Sequence, residues 1–398
     1  MPVRNLATPR VRTPHSATVA PTPVPASQRT RRADAVDRVD RPRVQGRSSA
    51  AAVAPKRLDK LVELDFPALP LDAHGHCAPL SLQVPANAIG LLVTIEGPEN
   101  GYYLVDQFSG PRGKALVSDG STARGTRRRT PQPFDSPNRS VAGMIPGTGA
   151  LLVPNSSSAS LCAGAWTLRV CGTDAQGNPV RGPVHVRVQI KVAPRLPRAG
   201  RLDLHLHFTG ARGLTAAAAR RSRDFKETLV EVRGIFAKVG IDLGTITYDD
   251  VSPRFQKQAI DGADSKIGKM FKTSTDSSGV NLYIVKELSL VDQGVMSAGP
   301  PGFSGGMPGP ANAGTAASGV AMAMDCMRPA CVMAHEIGHF LGLFHTHEQF
   351  INAADPIKDT PVEGWGNLMH PDEGSGGPNL TPGQVRVLLA HPLVQITR

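Results

Sequence analysis

The chain has 398 residues, too many for one ordinary domain and enough for two domains with their own cores, since domains commonly contain roughly 100–200 residues. Most of its net charge of +11 lies in residues 1–60, where 13 lysines and arginines face four aspartates, so we expect no nucleic-acid partner for the folded part. No apolar run reaches the length of about 18 residues that a membrane-spanning helix needs, and we expect no membrane span.

Residues 1–58 are rich in proline, alanine, arginine, serine and threonine and show no apolar periodicity. Such a composition cannot bury enough apolar surface to offset chain entropy, so we predict a disordered basic leader. It would be a propeptide or a targeting segment, and the sequence does not choose between them. The first residues lack the apolar core of a secretory signal peptide. We expect a secreted or exported protein, with the export route left open.

Residues 59–195 contain short apolar or alternating runs separated by glycine, proline, asparagine and serine. In the last run, Val184, Val186, Val188 and Ile190 alternate onto one face. Several such runs with turn signals between them predict an all-β sandwich, which we interpret as an accessory domain. The predicted strands are residues 90–96, 102–106, 150–153, 165–170 and 184–192.

Residues 200–398 are predicted to form a C-terminal α/β domain, which follows a linker at 194–200. Its glycine- and proline-rich stretch, residues 294–319, is predicted to be one long loop. The chain is therefore expected to be multidomain, with a leader, a sandwich and an α/β domain. The predicted elements of the third part are a strand at 201–209, a helix at 215–239, and strands at 241–248, 280–285 and 320–325.

The five cysteines leave two interpretations open. Cys162 and Cys171 flank one predicted strand, Cys326 and Cys331 are five residues apart, and Cys77 is left over. Two local disulfides with one free thiol would fit an oxidising compartment. Five reduced thiols are the alternative.

Five residues between 335 and 345 have the spacing of a catalytic zinc site. His335 and His339 are four residues apart, so on a helix they point from the same face and can share a metal ion. Glu336 lies beside the first histidine, and Gly342 permits a sharp exit that returns His345 as the third ligand. Three nitrogen ligands leave one position for water, as in catalytic rather than structural zinc sites.

Residues 335–345 read His-Glu-x-x-His-x-x-Gly-x-x-His, and Met369 follows at a suitable distance for a Met-turn. This pattern resembles the metzincin clan of zinc metallopeptidases. The resemblance implies a metzincin-like catalytic domain in residues 200–398. It also implies that Met369 forms a hydrophobic floor beneath the zinc ion.

Within the clan, details of the sequence point to two families. Three features resemble the pappalysin family: Thr346 after the third histidine, the Asp-Thr-Pro of residues 359–361, and Gly383-Gln384, which opens a closing helix. Pro371, two residues after the methionine, instead resembles matrix metallopeptidases. The nearest resemblance is therefore a pappalysin-like metzincin with a Met-turn like that of matrix metallopeptidases.

The resemblance implies a zinc-dependent metalloendopeptidase that hydrolyses protein or peptide substrates. Zinc would lower the pKa of a water molecule to about 7, Glu336 would take its proton as general base, and the hydroxide would attack the zinc-polarised carbonyl. We expect an extended substrate to pair with residues 320–325 as an edge strand, although a plain buried strand is the alternative. The candidate substrate-binding residues are Val320, Ala321, Met322, Ala323 and Met324.

Other polar residues near the motif have two interpretations each. Asp355 and Asp359 would hold Ca²⁺ beside the catalytic Zn²⁺, or they are carboxylates that cap turns. His347 and His370 contact substrate or face solvent.

Two other functions fit the sequence, and we expect a monomer in each case. One is a delivered effector or toxin whose protease domain is the cargo and whose basic leader is an address. The other is a catalytically silent, zinc-stabilised binding protein. The intact Glu336 argues against the second, because a purely structural zinc site does not need that base.

Overall fold

The structure is a computed structural model that describes residues 57–118, 141–142, 145–195, 197–260, 266–292, 295–348, 353–361, 364–372 and 376–397. Residues Ala54–Arg398 form one unit, which contains both the β-rich part and the α/β part. The predicted leader lies outside the described residues, apart from residues 57 and 58. In the described ranges, no helix is long and apolar enough to cross a membrane.

Two antiparallel sheets face each other between residues 60 and 192, and together they form a β-sandwich. The described strands are β1 (Lys60–Pro70), β2 (Leu80–Val84), β3 (Ala88–Glu96), β4 (Tyr102–Ser109), β5 (Ala115–Val117), β6 (Val141–Ala142), β7 (Thr148–Val153), β8 (Gly164–Thr173) and β9 (Pro183–Val192). One sheet has the order β1-β9-β3-β7-β6 and the other β2-β8-β4-β5. Val184, Val186, Val188 and Ile190 are all buried in the core between the sheets, as their alternation predicted.

The remaining described elements make an α/β arrangement. They are β10 (Gly200–Phe208), α1 (Ala216–Arg221), α2 (Arg223–Ala237), β11 (Ile241–Asp250), β12 (Lys257–Ile260), α3 (Lys266–Phe271), β13 (Val280–Val285), β14 (Glu287–Asp292), β15 (Val295–Ala298), β16 (Gly302–Ser304), β17 (Val320–Ala323), α4 (Pro329–Phe340), β18 (His347–Glu348), β19 (Ala353–Ala354) and α5 (Pro382–Ala390). The main sheet has the order β11-β10-β13-β17-β16, in which β16 alone runs antiparallel to its neighbour. The α/β part also contains a smaller sheet, β12-β14-β15, and the hairpin β18-β19.

The single helix predicted at residues 215–239 is two helices, α1 and α2. Ser222 between them has extended backbone angles, φ −61° and ψ 127°, and its hydroxyl accepts a hydrogen bond from the N–H of Phe225 at 3.2 Å. A serine at this position caps the N-terminus of the second helix, which an apolar periodicity alone does not reveal. The predicted stripe is nevertheless buried at Phe225, Leu229 and Val232.

The predicted edge strand at residues 320–325 is wrong, because β17 lies inside the sheet. Residues Leu282–Val285 pair with it on one side, and Gly302–Ser304 pair with it on the other. The main-chain groups of Val320, Ala321, Met322 and Ala323 are therefore used within the sheet and cannot bind a substrate as an added strand, and Met324 follows the strand. The edge is β16, inside the stretch predicted to be one loop.

One hydrophobic core contains residues from both the sandwich and the α/β part, in addition to the core of the sandwich itself. Leu92 of β3 and Leu152 of β7 belong to the same buried cluster as the residues of α4. Their neighbours Leu91 and Leu151 point the other way, into the core of the sandwich. The first sheet of the sandwich is thus buried on both faces at β3 and β7.

No disulfide joins the five cysteines, all of which lie in described segments. Cys77, Cys171 and Cys331 are buried. Burial raises the pKa of the Cys77 and Cys331 thiols, which favours their protonated form. The structure corresponds to the interpretation in which all five thiols are reduced.

Candidate metal centre

Helix α4 presents the first half of the predicted metal site. It begins at Pro329, a residue well suited to the first turn of a helix, and it is buried along nearly its whole length. His335 and His339 are one turn apart, with ring centroids 4.5 Å from each other. Both are nearly inaccessible, and Glu336 between them is only 3% exposed. The helix therefore places two imidazoles and one carboxylate in an enclosed environment.

The chain turns sharply after α4 and brings the third histidine back. Gly342 has φ +103°, a backbone conformation that favours glycine. Its N–H donates to the carbonyl of His339 at 2.9 Å, and the N–H of Leu343 donates to the carbonyl of Gly338 at 3.0 Å. As a result, Nε2 of His345 lies 3.1 Å from Nε2 of His339 and 3.3 Å from Nε2 of His335.

Backbone carbonyls fix the tautomers of the two helical histidines. Nδ1 of His335 donates to the carbonyl of Leu368 at 2.7 Å, and Nδ1 of His339 donates to the carbonyl of Leu343 at 2.8 Å. A carbonyl only accepts hydrogen bonds, so these Nδ1 atoms carry the protons and the Nε2 lone pairs face inward. Burial lowers the pKa of His335 to about 3 and holds that of His339 well below its usual range, so both rings are neutral at pH 7.

The three inward nitrogens fit a tetrahedral metal ion. Zinc–nitrogen bonds of about 2.0–2.1 Å place ligand nitrogens about 3.3–3.4 Å apart in a tetrahedron. The Nε2 separations of 3.1 and 3.3 Å agree with this requirement, and the three residues lie within metal-binding distance of one another. Lone pairs directed at each other in a buried site are unfavourable without a cation between them.

The segment that contains Met369 supports the site from below. Its sulfur lies 2.7 Å from the point where a Cβ on Gly338 would stand, so the methionine lies directly against the helix backbone between the two histidines. The carbonyl of Met369 accepts from the N–H of Thr346 at 2.8 Å, directly after the third histidine. Met369 is fully buried, where the resemblance placed a hydrophobic floor.

An amide pair that the sequence analysis missed joins this segment to α5. Nδ2 of Asn367 donates to Oε1 of Gln384 at 2.9 Å, and Nε2 of Gln384 donates to Oδ1 of Asn367 at 3.1 Å. The same Oδ1 accepts from the N–H of Met369 at 2.9 Å. Gln384 also completes a capping box with Thr381 at the start of α5. A Thr-x-x-Gln pattern is a sequence signal for the start of such a helix, but nothing local in the sequence indicates that Asn367 is the partner of Gln384.

Strand β16 passes directly over Glu336. A Cβ built on Gly302 would lie 2.4 Å from Cγ and 2.7 Å from Oε1 of Glu336. Only a glycine leaves the glutamate side chain where it is. The last strand of the main sheet and the candidate general base are therefore neighbours, which the sequence analysis did not foresee.

A stacked aromatic pair borders the site. Trp365 is 66% exposed, and its ring lies on that of His370 with centroids 4.6 Å apart. His370 is buried, so its solvent-facing interpretation is wrong. An open groove of about 360 Å³ adjoins the tryptophan; it is lined by Pro361, Gly364, Gly366, Asn367, Asn379, Leu380 and Thr381.

The two aspartates considered for calcium have different environments. Burial raises the pKa of Asp355 to about 6, although the N–H of Ile357 donates to its Oδ1 at 2.9 Å. Both oxygens of Asp359 accept hydrogen bonds, from the Thr381 hydroxyl at 3.0 Å and from the N–H of Gly383 at 2.9 Å. These contacts correspond to the capping interpretation for Asp359.

The described part of the chain brings one other metal-type cluster together, in the sandwich. It consists of His76, Asp106 and Cys171. Arg169 lies 2.7 Å and His76 lies 2.8 Å from the same oxygen of Asp106. The guanidinium already neutralises this carboxylate, so the cluster is an ion-pair network of the sandwich rather than a second metal centre.

A sequence model of the family Peptidase_M43, described as Pregnancy-associated plasma protein-A, matches residues 270–375. The matched segment contains the three histidines, Glu336 and Met369 and confirms the resemblance to pappalysin-like metzincins. No curated protein matches the chain.

Two solved structures resemble the chain weakly. One is the crystal structure of metalloproteinase-II from Bacteroides fragilis, with 13% identity, a TM-score of 0.31, and coverage of 55% of this chain and 64% of that chain. This chain thus spans less than two thirds of the length of that protein. The other is PliG, a periplasmic lysozyme inhibitor of g-type lysozyme from Aeromonas hydrophila, with 13% identity, a TM-score of 0.16, and coverage of 34% and 87%. Both TM-scores are too low to carry an argument.

Proposed function

We propose that the protein is a metalloprotease, a zinc-dependent endopeptidase in which His335, His339 and His345 hold one zinc ion and Glu336 is the general base. The observation that carries the proposal is the convergence of three Nε2 atoms at 3.1 and 3.3 Å, with two of the Nδ1 protons held by carbonyls. Neutral, pre-oriented imidazoles are the form in which histidine binds zinc.

Glu336 has the surroundings that a proton carrier needs. Zinc, when bound, would polarise the peptide carbonyl and make a water molecule more acidic. The carboxylate of Glu336 would accept a proton from a water molecule and later deliver it to the leaving amine. At 3% exposure the side chain is shielded from bulk solvent, which strengthens its interactions with the reacting groups.

The position of β16 as the last strand of the main sheet suggests how a substrate binds. An extended peptide that adds to this edge would pair its main chain with Gly302–Ser304, next to Glu336. Such pairing recognises the backbone rather than a chain end, which supports endopeptidase activity. It replaces the binding mode expected for residues 320–324.

Calcium is a second, separate proposal that rests on Asp355. A partly buried carboxylate with a raised pKa gains stability from a nearby cation. Asp359 supports it less, because both of its oxygens already accept hydrogen bonds.

The test compares the full-length protein with Glu336→Ala on a diverse peptide library, with and without a chelator. We expect the variant to keep its zinc, measured by elemental analysis, and to cleave about 10²–10⁴-fold more slowly. The chelator should abolish cleavage by the wild type. Cleavage by Glu336→Ala at the wild-type rate would overturn the proposed mechanism.

A further inference from the structure

The outer face of the sandwich touches the turn that joins the second and third metal ligands. At β7, consecutive leucines point to opposite sides: Leu151 into the sandwich core and Leu152 into the core that contains α4. A Cβ on Gly342 would lie 2.7 Å from Cδ2 of Leu152 and 3.5 Å from Cγ1 of Val387. Leu152 therefore lies directly against the backbone of the turn.

That turn positions two of the three histidines. The carbonyl of Leu343 accepts the Nδ1 proton of His339 at 2.8 Å and so sets the orientation of that ring. Two residues later, His345 places its Nε2 atom 3.1 Å from Nε2 of His339. A shift of the turn would therefore move His345 together with the Leu343 carbonyl that orients His339.

A second set of contacts joins the sandwich to α5. Lys191 of β9 is fully buried, and its ammonium donates to the carbonyls of Leu389 at 2.7 Å, of His391 at 3.0 Å, and of Val394. A Cβ on Gly90 of β3 would lie 2.1 Å from the carbonyl oxygen of Ala390, so the strand and the helix end are in close backbone contact.

Helix α5 passes this support on to the metal centre. Its Val387 lies beside Leu152 against the turn at Gly342. Its Gln384 forms the amide pair with Asn367, whose side chain holds the N–H of Met369. The sandwich thus supports the ligand turn directly and the Met369 segment through α5.

We infer that Leu152 is a positioning residue for the metal centre, and that the outer face of the sandwich supports the turn between the second and third histidines. The inference rests on the proposed function in that the ion is zinc. The side chain acts by holding the turn at Gly342.

The neighbouring leucine provides a matched control. Leu151→Ala and Leu152→Ala remove the same atoms from adjacent, buried positions of one strand, at 2% and 0% exposure. Zinc affinity of the full-length proteins is measured by competition with a chromophoric chelator, at a temperature where each variant is folded by circular dichroism. We expect Leu152→Ala to bind zinc about tenfold more weakly than wild type, and Leu151→Ala to bind it like wild type.

Two further measurements keep the test decisive. Substitution by Co²⁺ should give an altered visible spectrum in Leu152→Ala only, since a merely destabilised protein keeps its ligand geometry. If Leu152→Ala does not fold, Leu152→Val takes its place and should show a smaller loss of zinc affinity in the same direction. Equal zinc affinities of the Leu152 variant and Leu151→Ala would overturn the inference, whereas a wild type that binds no zinc would overturn the proposed function instead.

Discussion

Replacing Gly302 by alanine is expected to lower turnover by more than any loss of folded protein explains. A Cβ at this position would lie 2.4 Å from Cγ, 2.7 Å from Oε1 and 2.9 Å from Cδ of Glu336, whereas ordinary contacts of a Cβ lie at 3.4–4 Å. The carboxylate must therefore move by roughly 1 Å, because a backbone in a paired strand yields less than the end of a flexible side chain.

The cost of this movement falls on catalysis as well as on stability. Rotation about the side-chain bonds of Glu336 relieves the overlap at an overpacking cost of about 1–3 kcal/mol, because this side chain is only 3% exposed, and it takes the base away from the proton that it must accept. A displacement of about 1 Å costs on the order of 10²-fold in rate. We expect kcat to fall about a hundredfold, with KM little changed and zinc content equal to that of the wild type.

Gly305→Ala is the matched control, one residue beyond the same strand. Its Cβ would lie 2.8 Å from the backbone oxygen of Ala317 and 2.9 Å from Cε2 of Phe271, groups that are fixed in place. Here the cost falls on stability, by about 1–3 kcal/mol of overpacking, and kcat per folded molecule is unchanged. Peptide cleavage, zinc content and urea unfolding are measured on both variants. The reasoning fails if Gly302→Ala turns over at the wild-type rate, or if it loses activity only in proportion to its loss of folded protein.

Three further predictions concern two ionisable groups, the buried Lys191 and the partly buried Asp355. Burial lowers the pKa of Lys191 from 10.5 to about 7, so between these pH values the unfolded chain keeps a proton that the folded protein has lost. The free energy of unfolding of the wild type should therefore rise relative to that of Lys191→Met as the pH rises through that window. It is measured by urea unfolding at each pH. A difference between the two proteins that stays constant with pH would contradict this prediction. Burial raises the pKa of Asp355 from 3.8 to about 6, so between these pH values the folded protein holds a proton that the unfolded chain has lost. The free energy of unfolding of the wild type should therefore fall by about 2–3 kcal/mol relative to that of Asp355→Asn as the pH rises across that range. Added Ca²⁺ should raise the melting temperature of wild type at pH 7 but not that of Asp355→Asn; equal responses would remove the calcium proposal.

The convergence of the three histidines was largely predictable because its geometry is local. The pitch of one helix fixes His335 against His339, and a glycine three residues later makes the return of His345 possible. The substrate edge was not predictable in the same way. Strand β16 is three residues long and lies in a stretch of glycine and proline, so it has no apolar run, and only its pairing with β17 defines it. The amide pair of Asn367 and Gln384 is likewise invisible in sequence, since it depends on where α5 comes to rest.

The burial of the sandwich against the α/β part did leave a signal, in the type of apolar run. Most of β9 alternates apolar and polar residues, whereas β3 contains the continuous run of residues 91–93 and β7 that of residues 150–153. A continuous run is typical of a strand that is buried on both faces. Since one face of β3 and β7 fills the sandwich core, the run indicates that another layer must cover the second face. The sequence does not say which residues provide that layer, because the contact of Leu152 with Gly342 joins positions far apart in the chain. The apolar pattern of a strand can therefore indicate that its second face is covered. Only the fold shows that this face of β7 supports the turn at Gly342, between His339 and His345.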